Sequence, residues 1–253
     1  IHMPRHISSQ SLGDYYQDAN QNEQTWYTNW GWMTNPYWNI EYQKNQDKKN
    51  RVFGHVSLQY EFNENLKLMV RAAPDYFKTQ FTGRSATGGL LYSPGSYSES
   101  NNEQFLINSD FLATYSNDLN EILMYSLNIG GSSMYYKNTN ENANTQGGLI
   151  EPYVYSLENS VNPIYYRKYL SEAAKNSLYA FAQLNYKHFL YLDFTARNDW
   201  SSTLPKGDNS FFYPSVSLGF VFSELFNEEK MNKDVFSFGK LRTSYAGVGS
   251  DAA

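Results

Sequence analysis

Hydrophobic and polar positions alternate along most of this chain with a period of two. From Asn50 to Phe62, Val52, Gly54, Val56, Leu58, Tyr60 and Phe62 fall on one face, and Arg51, His55, Ser57, Gln59 and Glu61 on the other. Only Phe53 is out of step, so the segment predicts a two-faced strand. Asn63, Glu64 and Asn65 make a short turn. Leu66, Leu68, Val70 and Ala72 then alternate with Lys67, Met69, Arg71 and Ala73 in a strand running to Arg84, with Pro74 predicting a bulge.

The same pattern predicts strands over 101–116 and 121–138, joined by Asn117-Asp118-Leu119-Asn120, and over 175–187 and 188–200, joined at Lys187-His188. A last pair spans 211–223 and 236–249, linked by Glu224 to Val235, where one helical turn fits. Longer connections fall at 86–98, 139–174 and 201–210. Residues 1–45 have no sustained period, carry Trp26, Trp30, Trp32 and Trp38, and predict a long loop on the side of the long connections. Turns and loops therefore alternate, so the short turns collect at one end of the sheet. Outer-membrane barrels sort their connections this way, with short periplasmic turns and longer extracellular loops. The strands are also long: about 13 residues at roughly 3.3 Å each reach ~43 Å, where strands in globular domains have about 5–6 residues and hydrocarbon needs about 9–11.

Composition sharpens the picture. Aromatic residues make up 17% of 253 residues, with 23 Tyr, 16 Phe and 5 Trp, while the mean hydropathy is −0.63. A transmembrane barrel reconciles the two, because lipid-facing apolar residues cancel against lumen-facing polar ones and aromatic girdles mark both interfaces. No run approaches the roughly 20 apolar residues of a membrane helix, and Ile1 to Gln10 lack the order of a signal peptide. The predicted fold is all-β: about eight antiparallel strands of a larger transmembrane barrel, whose first and last strands need neighbours outside this segment.

Candidate chemistry points away from catalysis. The net charge of −5, with both signs mixed along the chain, gives no basic stripe for nucleic acid. Zero cysteines excludes disulfides and thiolate sites. His2, His6, His55 and His188 are isolated and lack zinc-helix spacing. Asp193, Asp199, Glu228 and Glu229 sit on a polar strand face or in a turn, where solvated structural roles are the default reading against glycoside chemistry. Gly88-Gly89 and Gly247-Val248-Gly249 lack the strand-to-helix context of a phosphate loop. No cofactor, metal site or catalytic residue is expected. The aromatic set Trp26, Trp30, Trp32, Tyr37 and Trp38 reads either as a surface contacting cargo or a partner, or as packing within a loop.

Three segments carry a resemblance. Ala196-Arg197-Asn198-Asp199-Trp200-Ser201-Ser202-Thr203-Leu204-Pro205-Lys206-Gly207, then Phe212-Tyr213-Pro214-Ser215-Val216-Ser217, then Lys240-Leu241-Arg242-Thr243-Ser244-Tyr245-Ala246 resemble the barrel region of the SusC/RagA family of TonB-linked transporters. Met3-Pro4-Arg5 and Asn35-Pro36-Tyr37-Trp38 are similar to segments of that family in the same order. The resemblance implies a bacterial outer-membrane barrel of about 22 strands with an internal plug. It further implies a SusD-like surface lipoprotein as lid, coupling to the TonB complex, and import of oligosaccharides or peptides, with oligosaccharides the commoner use. Plug, TonB-contacting box and closing strands are not seen here, so the energy-coupling residues are expected outside this segment. The alternatives are a soluble secreted carbohydrate-binding β-sandwich, which predicts short strands, and a passive porin, which predicts no plug.

Overall fold

The computed structural model describes residues 8–14, 34–89, 94–120, 122–225 and 238–249. Two short helices, α1 (Ser9–Asp14) and α2 (Pro36–Tyr42), precede nine strands. These are β1 (Gln43–Phe53), β2 (Val56–Glu61), β3 (Leu66–Thr87), β4 (Pro94–Asn120), β5 (Leu123–Leu149), β6 (Ser160–Tyr186), β7 (Leu190–Ser201), β8 (Ser210–Phe220) and β9 (Leu241–Ala246). All nine belong to one sheet in the order β1-β3-β4-β5-β6-β7-β8-β9, with β2 also paired to β3. Nine strands thus occupy eight positions: β1 and β2 share one beside β3, and from β3 onward each strand pairs with the next in sequence. The all-β, antiparallel architecture read from the alternation is the one observed.

Pro74 explains why the first position is split. Gly54 N donates to Pro74 O at 3.2 Å, but proline has no N–H to return to Gly54 O. The ladder opens there, so β1 ends at Phe53 and β2 resumes at Val56, antiparallel to β3 with Val56 opposite Ala72 and Leu58 opposite Val70. The irregularity expected at Pro74 therefore sits in the opposite strand, while β3 runs through the proline unbroken.

Several strands outrun their predicted limits. β4 continues through the expected turn at 117–120 to Asn120, β5 continues to Leu149, and β6 starts at Ser160, so most of the 139–174 connection is strand. The 86–98 connection likewise shrinks to the residues between Thr87 and Pro94, and the described part of 1–45 holds α1, α2 and the start of β1. The β5 part of the 139–174 connection, as in Thr139-Asn140-Glu141-Asn142, is polar on both faces, whereas the β6 part has apolar and aromatic residues on both, Val161 and Tyr165 against Ile164 and Tyr166. A strand with two like faces keeps its main-chain ladder and loses the period-two signal.

The chain divides into two compact units, to both of which β3 to β6 contribute. The first (1–52, 76–104, 138–171) contains the buried apolar residues Leu12, Trp38, Ala86 and Leu149. Its strand faces carry polar pairs: Lys78 with Glu103 at 3.9 Å, Lys168 with Glu141 at 2.6 Å, and a Gln80 to Asn101 hydrogen bond at 3.3 Å. The second unit (53–75, 105–137, 172–253) has Val221 as its one buried hydrophobic among the described residues. It is a single layer of sheet with almost no core of its own.

The turns of the second unit close it at one end. Asn63 Oδ1 accepts from the main-chain N–H of Asn65 at 2.9 Å and of Leu66 at 2.8 Å. Lys187 and His188 both have positive φ, 48° and 59°, and Phe189 N donates to Tyr186 O at 3.2 Å, the two-residue geometry whose twist suits a hairpin. Phe222–Leu225 forms a short 3-10 turn at the start of the 224–235 link, and 226–237 lie outside the described residues. Because His188 holds a left-handed conformation that costs a side chain roughly 1 kcal/mol, His188→Gly should stabilise the full-length protein by about 0.5–1 kcal/mol. His188→Val should destabilise it by a similar amount or more, and urea-unfolding midpoints of the two variants check both.

Candidate functional site: the polar face of β6 to β9

Residues directly opposed in an antiparallel ladder share a face, so the register assigns every side chain of these strands. Leu184, Leu192 and Leu218 lie opposite one another in turn, as do Ala182, Phe194 and Val216, and Leu190, Phe220 and Leu241. With Leu178 and Tyr245 they form one apolar face. Gln183, Asp193 and Ser217 line up on the other face, as do Phe181, Thr195 and Ser215, and Tyr179, Arg197 and Tyr213. The even set predicted as apolar in this strand (Leu190, Leu192, Phe194, Ala196) and the odd set predicted as polar (Tyr191, Asp193, Thr195, Arg197) are separated as expected.

Side chains on the polar face bond across the strands. Gln183 donates to Asp193 at 3.3 Å, Ser217 donates to the same carboxylate at 3.3 Å, and the hydroxyls of Thr195 and Ser215 meet. Beyond Ala196 lies a tighter cluster. Arg197 Nε contacts Asp199 Oδ1 at 2.6 Å, Arg197 also donates to Ser177 Oγ at 2.9 Å, and Lys175 Nζ stands 3.6 Å from Asp199 Oδ2. Asn198 bonds Ser210 at 2.9 Å, and the hydroxyls of Ser201 and Thr203 lie 2.7 Å apart. The Ala196–Gly207 segment that carries much of the resemblance thus fastens β7 to β6 and β8. The solvated role expected for Asp199 gives way to a structural one: its side chain is 7% exposed and ion-paired.

The polar face is concave between β6 and β9, where Gln183, Tyr191, Asp193, Ser217, Lys240 and Arg242 border a space of about 530 Å³. Lys240 Nζ sits 4.5 Å from the centre of the Tyr191 ring. Sequence reading missed Lys240 and Arg242 as face-sharing cations; their alternation with Leu241 and Thr243 was the available signal.

The aromatic candidates separate. Trp26, Trp30 and Trp32, like Met3-Pro4-Arg5, lie outside the described residues. Asn35 caps α2 by accepting from Tyr37 N at 2.9 Å and ties it to α1 by donating to Leu12 O at 3.0 Å. That cap turns Trp38 inward. Trp38 is 0% exposed and lies 4.3 Å, ring centre to ring centre, from Tyr42, so its ring is closed to a ligand in this structure. Tyr37, 41% exposed, presents its ring outward. Among the described residues no group of three or more acidic, His or Cys side chains could hold a metal.

Asp199 is held by Arg197, Lys175 and Ser177 together. Asp199→Asn should cost about 1–3 kcal/mol at neutral pH, by leaving Arg197 and Lys175 without their counter-charge, as measured by urea midpoints.

No protein-family model matches the sequence, and no curated protein does. Solved structures do. A chain of the RagAB peptide transporter matches with a TM-score of 0.74 at 17% identity, covering 85% of this chain and 24% of that one. Chains of the RagAB peptide importer in its closed-closed and open-open states match with TM-scores of 0.74 and 0.72 at 18% and 17% identity, with the same coverage. This chain spans about a quarter of the length of those it matches (24%). The likeness shows the fold: an all-β antiparallel sheet of the kind found in that transporter.

Proposed function

We propose that this chain is part of the barrel wall of a bacterial outer-membrane importer of the SusC/RagA type, and that its work is passage and not catalysis. The observation that carries this reading is the second unit's uncovered apolar face. Leu58 is 70% exposed, Leu178 51%, Phe194 45% and Leu241 64%, in a sheet with almost no core. Exposed apolar rows of this kind, continuous from β6 to β9, are costly in water, whereas hydrocarbon covers them at no cost. Aromatic pairs lie near its turns: Tyr60 with Phe62 at 4.8 Å, Tyr115 with Tyr125 at 6.1 Å, and Tyr186 with Phe189 at 5.5 Å, as in an interfacial girdle. Strands of 27 residues argue against a soluble sandwich.

The partners in this reading are outer-membrane lipid, a SusD-like surface lipoprotein and, through a part of the protein outside this chain, the TonB complex. Cargo is an oligosaccharide or a peptide, and the likeness to peptide importers supports peptide. The segment from Trp26 to Trp38, with Tyr37 exposed, is the candidate contact for cargo or lid. Trp30→Ala with Trp32→Ala should weaken cargo affinity or lipoprotein association, each measured separately; no change in either returns the cluster to a packing role.

The decisive experiment uses the full-length parent. It should fractionate with the outer membrane and need detergent for extraction, and a folded water-soluble monomer would contradict the proposal. Leu192→Arg should cost about 2–4 kcal/mol if Leu192 lies near the bilayer midplane, and Thr195→Arg far less, because the opposite face is polar. Heat-modifiable gel mobility quantifies the folded fraction; equal tolerance at the two positions would refute the lipid assignment.

A further inference from the structure

The two edges of β6 are not equivalently covered. β7 pairs with β6 only over Lys175 to Tyr186, whereas β6 begins at Ser160. At the end of that pairing Ala174 turns both main-chain groups toward β7: Ser202 N donates to Ala174 O at 2.9 Å, and Ala174 N donates to Ser202 Oγ at 2.8 Å. Main-chain direction alternates along a strand, so the N–H and C=O groups of Leu170, Lys168, Tyr166 and Ile164 point the same way as those of Ala174. No strand among the described residues pairs with them on that side. The odd-numbered residues between them bond toward β5. On that side, Lys137 with Glu172 at 2.9 Å and Glu141 with Lys168 at 2.6 Å hold the strand in register. Residues 161–170 are all exposed.

Side chains add a second, independent observation. Tyr165, Arg167 and Tyr169 are alternate residues, and so project to one face of β6. Tyr165 and Tyr169 are 50% and 56% exposed, and Arg167 between them has no acidic partner among the described residues. An open row of main-chain donors and acceptors is a template for another extended chain. A polypeptide supplies matching N–H and C=O groups at the strand repeat, which an oligosaccharide does not. An unpaired guanidinium between two tyrosines favours an acidic side chain beside it.

We propose that the bare edge of β6, from Ile164 to Leu170, binds a peptide as an added strand, with an acidic residue of that peptide against Arg167. The inference rests on the importer reading and deepens it by giving the cargo's conformation and charge. A lipoprotein strand on this edge is the competing occupant.

The test uses the full-length parent in nanodiscs and three fluorescent pentapeptide probes: Ala-Glu-Ala-Glu-Ala, its Lys counterpart, and the Glu peptide N-methylated at every second residue. The Glu peptide should bind at least about tenfold tighter than either of the others. Arg167→Gln should abolish the preference for Glu over Lys. Leu170→Pro removes one edge donor without touching the β5 ladder and should weaken binding of the Glu peptide by a similar factor. Equal affinity for the N-methylated probe overturns the proposal whether or not the proline variant folds. Undiminished binding by a folded Leu170→Pro does so too, as does loss of lipoprotein association with peptide affinity unchanged. Membrane fractionation and peptide uptake by cells carrying Leu170→Pro separate the two readings: normal localisation and uptake would leave the importer standing and sink only the edge.

Discussion

Register is the constraint on which the rest of this sheet depends. A slip of one residue between β7 and its neighbours would carry Leu190, Leu192 and Phe194 to the polar face, and would bury Asp193 and Arg197 among leucines. The hairpin turn at Lys187 and His188 sets that register at one end of the strand, and the Arg197, Asp199, Ser177 and Lys175 cluster locks it at the other. Between these two points the apolar face needs no specific contact to be correct. In the proposed membrane setting its members have only to be on the same side, because a fluid apolar environment would impose no jigsaw fit, whereas a packed protein core does.

Prolines punctuate the same ladder. Pro74 cannot return a hydrogen bond to Gly54, and β1 and β2 separate there. Pro214 accepts from Gly247 N at 3.0 Å but has nothing to donate back, and β9 ends at Ala246. In both places the proline's own strand is undisturbed and the partner strand is interrupted. A missing donor is felt by the chain that would have accepted from it.

Where one face is apolar, the fold was legible in the sequence almost residue by residue, since alternation reports a difference between two environments. The strands 188–200 and 211–223 came out as Leu190–Ser201 and Ser210–Phe220. Where both faces are polar the difference vanishes, and Thr139 to Leu149 reads as loop although it is strand; from Ser160 to Tyr169 apolar and aromatic residues fall on both faces, Val161, Tyr165 and Tyr169 against Ile164 and Tyr166, which erases the alternation as well. Trp38 shows a different limit. An aromatic cluster in a polar segment signals either a contact surface or a small core, and the inward turn of Trp38 at the Asn35 cap is written in neither pattern. The bare edge of β6 had no sequence signal at all, because it arises from the unequal lengths of β6 and β7.

The residues that identify the fold and those that would select a cargo are therefore different sets. Arg197, Asn198, Asp199, Ser201 and Thr203, within the segment most like the SusC/RagA pattern, spend their polar groups on one another and on Ser177 and Ser210. A side chain engaged in such bonds fixes strand positions and has less left to offer a ligand. Arg167, Arg242 and the edge groups of β6 are the reverse: uncommitted among the described residues, and held in place by ladders and turns elsewhere. Sequence change at these uncommitted positions alters recognition without loosening the sheet, so one wall architecture can serve transporters of chemically different cargo.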